Sequence, residues 1–134
     1  CALPIWFAQE RSDFDSEHIY FHNERLRPKE RPLLLSECGG YSYAIKGHLF
    51  HKKIYGYGAV RSEKELTEKI KLMYREMVFP AISEGLCGVI YTQLSDVEEE
   101  INGLYTYDRE VLKVDKGEIR KLSKKVSEVL SVHV

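Results

Sequence analysis

The feature that most constrains the fold is a short apolar run that ends on a carboxylate. Three consecutive leucines, residues 33–35, are followed directly by Ser36 and Glu37. A strand whose consecutive side chains are all apolar is typical of a parallel sheet that is covered on both faces. The run therefore predicts a buried parallel strand over residues 33–37, with an ionisable side chain at its carboxyl end.

Two further segments predict strands on the two sides of this one in the sequence. Residues 17–22 are rich in β-branched and aromatic side chains, and residues 84–94 form an apolar run after a glycine. Because strands alternate with helices along the chain, the predicted fold is α/β with parallel pairing. The carboxyl ends of parallel strands lie at one edge of the sheet, so Tyr20, Glu37 and Tyr91 are expected to be neighbours there.

Two amphipathic helices complete the predicted fold. Ser62 with Glu65 forms a capping box, and the helix that it starts is expected to end at Pro80. Asp115 and Glu118 predict the start of a second helix. The apolar stripes of the two helices are Leu66, Ile70, Met73 and Met77 in the first, and Ile119, Leu122, Val126 and Val129 in the second.

Composition narrows the class of protein. The 134 residues, 43% of them hydrophobic, are enough for a single domain over residues 1–134. The net charge is −1 and charges of both signs are interspersed, which argues against a nucleic acid partner. The apolar runs are shorter than the ~18 residues of a membrane span, so no membrane association is expected. Three scattered cysteines (Cys1, Cys38, Cys87) favour free thiols in a reducing compartment and a cytoplasmic protein.

Two motifs resemble a known family. The segments "PLLLSECGGYS" (32–42) and "GVIYTQLSDVEEEINGLYTYDREVLKVD" (88–115) are similar to the C-terminal part of the catalytic barrel of glycoside hydrolase family 2. That family includes β-galactosidases, β-glucuronidases and β-mannosidases. The resemblance implies that the chain forms about strands six to eight of a (β/α)₈ TIM barrel, and that the parent protein is a retaining β-glycosidase.

The resemblance also implies roles for individual residues. Glu37 corresponds to the catalytic nucleophile, and Tyr20 corresponds to the tyrosine that orients it. Where the family usually has a tryptophan at the end of strand eight, Tyr91 stands in this chain. The substrate is then a carbohydrate, and no cofactor is expected. The residues expected to contact the sugar are His18, Tyr91, Gln93 and Asp96.

The same resemblance implies that this chain is part of a longer protein. The acid/base glutamate of the family belongs to strand four, which no segment here matches, and a complete barrel needs ~250 residues. Residue 1 is also Cys and not Met. The isolated chain is therefore expected to be inactive, with the missing strands supplied by the parent chain or by self-association. The alternative is a non-catalytic half-barrel or a sugar-binding module.

Several of these residues also have simpler interpretations. Glu37 could cap the amides of the two glycines that follow it, and Tyr20 could be a core aromatic. Cys38 has no neighbouring histidine in the sequence to activate it, so it is interpreted as a small buried side chain. His48 and His51 have no acidic or thiol partner at a convincing spacing, which predicts a solvated loop and no metal site.

Overall fold

The computed structural model describes residues 12–51 and 58–132, which form a parallel sheet with helices packed on one face. The strands are β1 (Asp15–Tyr20), β2 (Leu33–Gly39) and β3 (Leu86–Thr92). Both strand pairs are parallel and the order is β1-β2-β3, so the strand that carries Glu37 is central. The predicted α/β class, the three strands and their parallel pairing are confirmed.

The helical part is longer than the sequence predicted. Its segments are α1 (Glu63–Met73), a π-helical turn (Tyr74–Val78), α2 (Phe79–Ser83) and α3 (Lys116–Val132). The prediction that Pro80 ends the first helix is wrong, because the chain widens into the π-turn before it. Proline lacks an amide hydrogen, and at the start of a new helical segment that hydrogen is not needed. Within the described residues, no helix is long and apolar enough to cross a membrane.

Both predicted helix starts are confirmed. The Ser62 hydroxyl accepts a hydrogen bond from the amide of Glu65 at 3.1 Å, and the Glu65 carboxylate accepts one from the amide of Arg61 at 2.8 Å. At α3, the Asp115 carboxylate accepts from the amide of Glu118 at 2.9 Å. These contacts satisfy amide groups that have no partner inside the helix.

The core lies between the sheet and the helices. Leu35 and Cys38 of β2 are completely buried there. All four side chains of the predicted first stripe (Leu66, Ile70, Met73, Met77) are at most 2% exposed. The second stripe packs against this core with half-buried side chains, among them Ile119, Leu122 and Val129. Full burial of one large apolar side chain stabilises the fold by roughly 1.5–3 kcal/mol, so the α1 stripe anchors the helices to the sheet.

The opposite face of the sheet is open within the described residues. Leu34 is half-buried on this face, and a Cβ at Gly88 would meet its side chain. Ile90, two residues further along β3, is 54% exposed. The expected burial of the central strand on both faces is therefore not reached by residues 12–51 and 58–132.

Candidate functional site

Glu37 and two side chains of β1 form a cluster at the carboxyl edge of the sheet. The Tyr20 hydroxyl donates a hydrogen bond to Oε2 of Glu37. Nδ1 of His18 lies 4.0 Å from the same oxygen. A register shift between Glu17 and His18 brings His18 opposite Glu37 and Tyr20 opposite Gly39. Such irregularities re-aim side chains, and here two polar side chains of β1 reach one carboxylate.

The Tyr20 phenol is a neutral donor in this cluster. Burial raises its pKa far above the ordinary value, and the hydrogen bond to Glu37 raises it further. A hydroxyl that keeps its proton can only donate to the carboxylate, so the contact fixes the direction in which Glu37 points. The Glu37 side chain is itself 32% exposed, so a ligand at this edge can reach it.

Two glycines turn the chain away just after Glu37. Gly39 and Gly40 have φ angles of 99° and 74°, a region that side chains with a Cβ rarely adopt. The amide of Gly40 donates to the carbonyl of Thr92 at 3.2 Å. The interpretation in which Glu37 caps this amide is therefore wrong for Gly40, because β3 provides the acceptor.

The structure places Tyr91 away from the cluster. In the sheet register Tyr91 lies opposite Cys38, and Cys38 lies opposite Ile19, so the three side chains share the helix-covered face. The Tyr91 ring lines a cavity of about 260 Å³ together with Val89 and Leu104, between the sheet and the helices. The expectation that Tyr91 lines a sugar pocket beside Glu37 is wrong in placement. Alternation along β3 instead puts Thr92 on the face of Glu37.

Gln93 lies at the same edge as Glu37, and its side chain binds two polar residues of the loop that follows it. Its side-chain amide donates to Oδ1 of Asn102 at 2.7 Å and to Oε2 of Glu100 at 3.4 Å. Its main-chain amide and carbonyl bond to Asn102 and Leu104. Gln93 therefore lies directly after the end of β3, and its contact with a sugar stays a prediction. The Asn-Gly pair at 102–103 was the available signal for a loop that returns to the strand end.

Glu100 acts on the cluster electrostatically. Burial and Glu37 raise the pKa of Tyr20 most, and the charge of Glu100 raises it further. The short turn that carries it is closed by two backbone hydrogen bonds between Val97 and Glu100, at 2.9 and 3.1 Å. Among the described residues, the carboxylates of Glu37 and Glu100 thus both lie at the carboxyl edge of the sheet.

Asp96 is a structural residue and not a surface ligand. Its side chain is 1% exposed, and its Oδ1 accepts from Nζ of Lys113 at 2.6 Å and from the amide of Gly103 at 2.8 Å. Lys113 is completely buried and also donates to the carbonyls of Tyr43 and Ile101, each at 2.9 Å. The expectation that Asp96 contacts a sugar is wrong in placement, because both charges are used to join loops in the interior.

The structure also shows the environments of Cys38 and His48. Cys38 is buried, and burial raises the pKa of its thiol to about 12, which agrees with a small core side chain. Nδ1 of His48 lies 2.7 Å from Oδ2 of Asp108 and 3.9 Å from Oε2 of Glu110. The acidic partners come from a distant loop, which the spacing in the sequence did not show. The three side chains are oriented towards one another as a half-exposed ion-pair cluster.

Comparison with models of known protein families finds no match for this chain, and comparison with curated proteins finds none either. The site is therefore defined by its own geometry. That geometry combines a partly exposed carboxylate, a phenol that orients it and a polar amide pair, all at the carboxyl edge of parallel strands. Parallel α/β folds use this edge to bind ligands and to carry out chemistry.

Proposed function

We propose that this chain contributes the nucleophile of a retaining β-glycosidase whose catalytic domain is a (β/α)₈ barrel. Glu37 is the nucleophile and Tyr20 orients it. The observation that carries the proposal is the hydrogen bond from Tyr20 to Glu37 where two adjacent parallel strands end. In barrels of this kind, the reacting residues stand at the carboxyl ends of the strands. The resemblance of the segments around Glu37 and Gln93 to glycoside hydrolase family 2 supports the same assignment.

In the proposed reaction, a Glu37 oxygen attacks the anomeric carbon as the bond to the leaving oxygen breaks. A second carboxyl group, ~5–5.5 Å from the first, donates a proton to that oxygen. Water then hydrolyses the resulting glycosyl ester on Glu37, and the second carboxyl group accepts a proton from the attacking water. The resemblance assigns the second carboxyl group to strand four, outside these 134 residues. No cofactor is needed for any of these steps.

The test is made in the complete protein that contains this chain, with the variant Glu37→Gln. The amide keeps the shape of the carboxylate but cannot form the glycosyl ester, so turnover of nitrophenyl β-glycosides should fall on the order of 10⁴-fold or more. The matched control is Glu17→Gln, an exposed glutamate on the neighbouring strand β1, which should leave turnover within about twofold. Equal losses in the two variants, or full activity of Glu37→Gln, would overturn the proposal.

A covalent label gives a second measurement. A 2-fluoro sugar with a good leaving group should modify the peptide that contains Glu37 in the unaltered protein and should fail to modify it in Glu37→Gln. Mass spectrometry that places the label on a different carboxylate would remove Glu37 from the nucleophile role.

The isolated 134-residue chain should not turn over these substrates. The proposed leaving-group acid, whose contribution is about 10²–10⁴-fold, lies on strand four of the barrel, and the three strands of the described residues enclose only part of a barrel pocket. The alternative is a non-catalytic sugar-binding half-barrel that self-associates through its open sheet face, where Ile90 is 54% exposed. Sugar binding by the complete protein without any turnover would favour that alternative.

A further inference from the structure

The turn that carries Glu100 adds a feature that the proposed mechanism does not use. Glu100 is an exposed residue, and the amide of Gln93 ties it to the end of β3. The same side-chain amide of Gln93 donates to Oδ1 of Asn102 at 2.7 Å, so the side chains of Gln93 and Asn102 are both held beside the Glu100 carboxylate. Thr92, the residue before Gln93, lies opposite Gly39 of the central strand. Glu100 is therefore held at the strand end next to the one that carries the nucleophile.

The charge at this edge is negative. Glu37 and Glu100 are both carboxylates, and the imidazole of His18 lies beside Glu37. Two cations of the described residues are paired away from this edge. Lys113 is bound to Asp96 in the interior at 2.6 Å, and Arg31 pairs with Asp15 at the opposite end of the strands. A ligand at the site therefore meets two acidic side chains, together with the neutral amides of Gln93 and Asn102.

We infer that Glu100 is a specificity-determining residue that makes the site prefer glycosides of neutral sugars over glycosides of uronic acids. The inference rests on the proposed function, since it concerns the sugar bound at Glu37. Hydroxyl groups of a neutral sugar can donate to Glu100 and exchange hydrogen bonds with the two amides. The carboxylate of a uronic acid would instead meet a like charge at Glu100, which has no hydrogen-bond donor to offer it.

The size of the effect follows from the repulsion between two like charges. At a partly exposed site, the repulsion between two like charges is expected to lower the affinity for an anionic sugar roughly tenfold. The repulsion is weakened by salt, so the discrimination should decrease as the ionic strength rises.

The experiment compares matched neutral and anionic sugars in the complete protein. The variants are Glu100→Gln, which removes the charge, Glu100→Lys, which reverses it, and the control Glu98→Gln, which removes an exposed charge from the same turn. The quantity measured is the ratio of kcat/KM for nitrophenyl β-glucoside and β-glucuronide. Calorimetric binding of the neutral and uronic sugar lactones gives the same ratio without turnover.

The ratio of kcat/KM for the neutral glycoside to kcat/KM for the anionic glycoside should fall roughly tenfold in Glu100→Gln and further in Glu100→Lys. In the control Glu98→Gln this ratio should stay within about twofold. An equal fall for Glu98→Gln and Glu100→Gln would overturn the inference, because it would reflect net charge and not position. An unchanged ratio in Glu100→Lys would also overturn it, while turnover that depends on Glu37 would leave the proposed function intact. If no glycoside is hydrolysed but the binding ratio depends on Glu100, the proposed catalysis fails and the inference holds for a sugar-binding site.

Discussion

Replacing Lys113 by Met should destabilise the protein more than any surface substitution in the chain. Lys113 has no exposed surface, and its ammonium group makes three hydrogen bonds, to Asp96 and to the carbonyls of Tyr43 and Ile101. Methionine fills a similar volume but donates nothing. The variant therefore leaves a buried carboxylate without its counter-charge and two carbonyls without this donor.

The expected loss of stability in Lys113→Met follows from these lost contacts. Removal of one partner of a buried ion pair costs about 3–5 kcal/mol, because the remaining charge stays in the interior uncompensated. The amide of Gly103 still binds Asp96 at 2.8 Å, but Oδ2 of Asp96 already lacks a partner among the described residues. For a domain of this length, the loss corresponds to a fall in melting temperature of about 10–18 °C.

Calorimetry and urea unfolding of the purified protein give the measurement. The control is Lys124→Met on the exposed side of α3, which should change stability by less than about 0.5 kcal/mol. The double variant Lys113→Met with Asp96→Asn should recover part of the loss, because no unpaired charge is left inside. A cost below about 1 kcal/mol for Lys113→Met, or additive effects in the double variant, would refute the role of the pair as the link between these loops.

Three further substitutions test separate parts of the site and its surroundings. Gly39→Ala should lower the free energy of unfolding by at least about 1 kcal/mol, measured by urea unfolding, because φ is 99° and the added Cβ would collide with an aromatic ring of β3. If the proposed mechanism holds, Tyr20→Phe should lower kcat/KM about 10–100-fold through the lost hydrogen bond to Glu37, and a change below twofold would contradict the positioning role. Hydrogen bonds from a neighbouring hydroxyl and a main-chain amide lower the pKa of Asp108 from 3.8 to about 2. The ionised Asp108 carboxylate therefore stabilises the fold above pH 4, and this stabilisation is lost as the pH falls through about 2. Asp108→Asn should therefore flatten the acid unfolding curve between those values, as followed by circular dichroism.

The sheet and the identity of its central carboxylate could be predicted because they depend on local patterns. The leucine run before Glu37 indicated a buried strand, and the apolar stripe from Leu66 to Met77 indicated one helix face. Parallel pairing then requires that strand ends share one edge, which places Tyr20 beside Glu37 without knowledge of any loop. The hydrogen bond between them is the outcome of that topology.

The contacts made by loops could not be predicted, because they join residues far apart in the sequence. Asp96 is predicted from the sequence to contact a sugar, yet it is buried against Lys113. His48 had no acidic neighbour in the sequence, yet it lies 2.7 Å from Asp108. Pro80 read as a helix stop, but the preceding π-turn lets the helix continue to Ser83. In each case a tertiary contact or a backbone irregularity outweighed the local preference.

The placement of Tyr91 leads to a prediction that distinguishes the two faces of the sheet. Its hydroxyl is buried on the helix side and has no hydrogen-bond partner within the described residues, and burial raises its pKa far above the ordinary value. An unsatisfied buried hydroxyl costs about 1–3 kcal/mol, so Tyr91→Phe should raise the free energy of unfolding by a comparable amount or leave it unchanged. If Tyr91 instead contacted the sugar, the same substitution would weaken lactone binding, whereas on the helix side the affinity should stay within about twofold. Thr92→Ala is the counterpart on the Glu37 face and, under the proposed function, should weaken lactone binding without the gain in stability. Weaker binding in Tyr91→Phe than in Thr92→Ala would show that the ring faces the sugar, and would overturn the register-based assignment of the two faces.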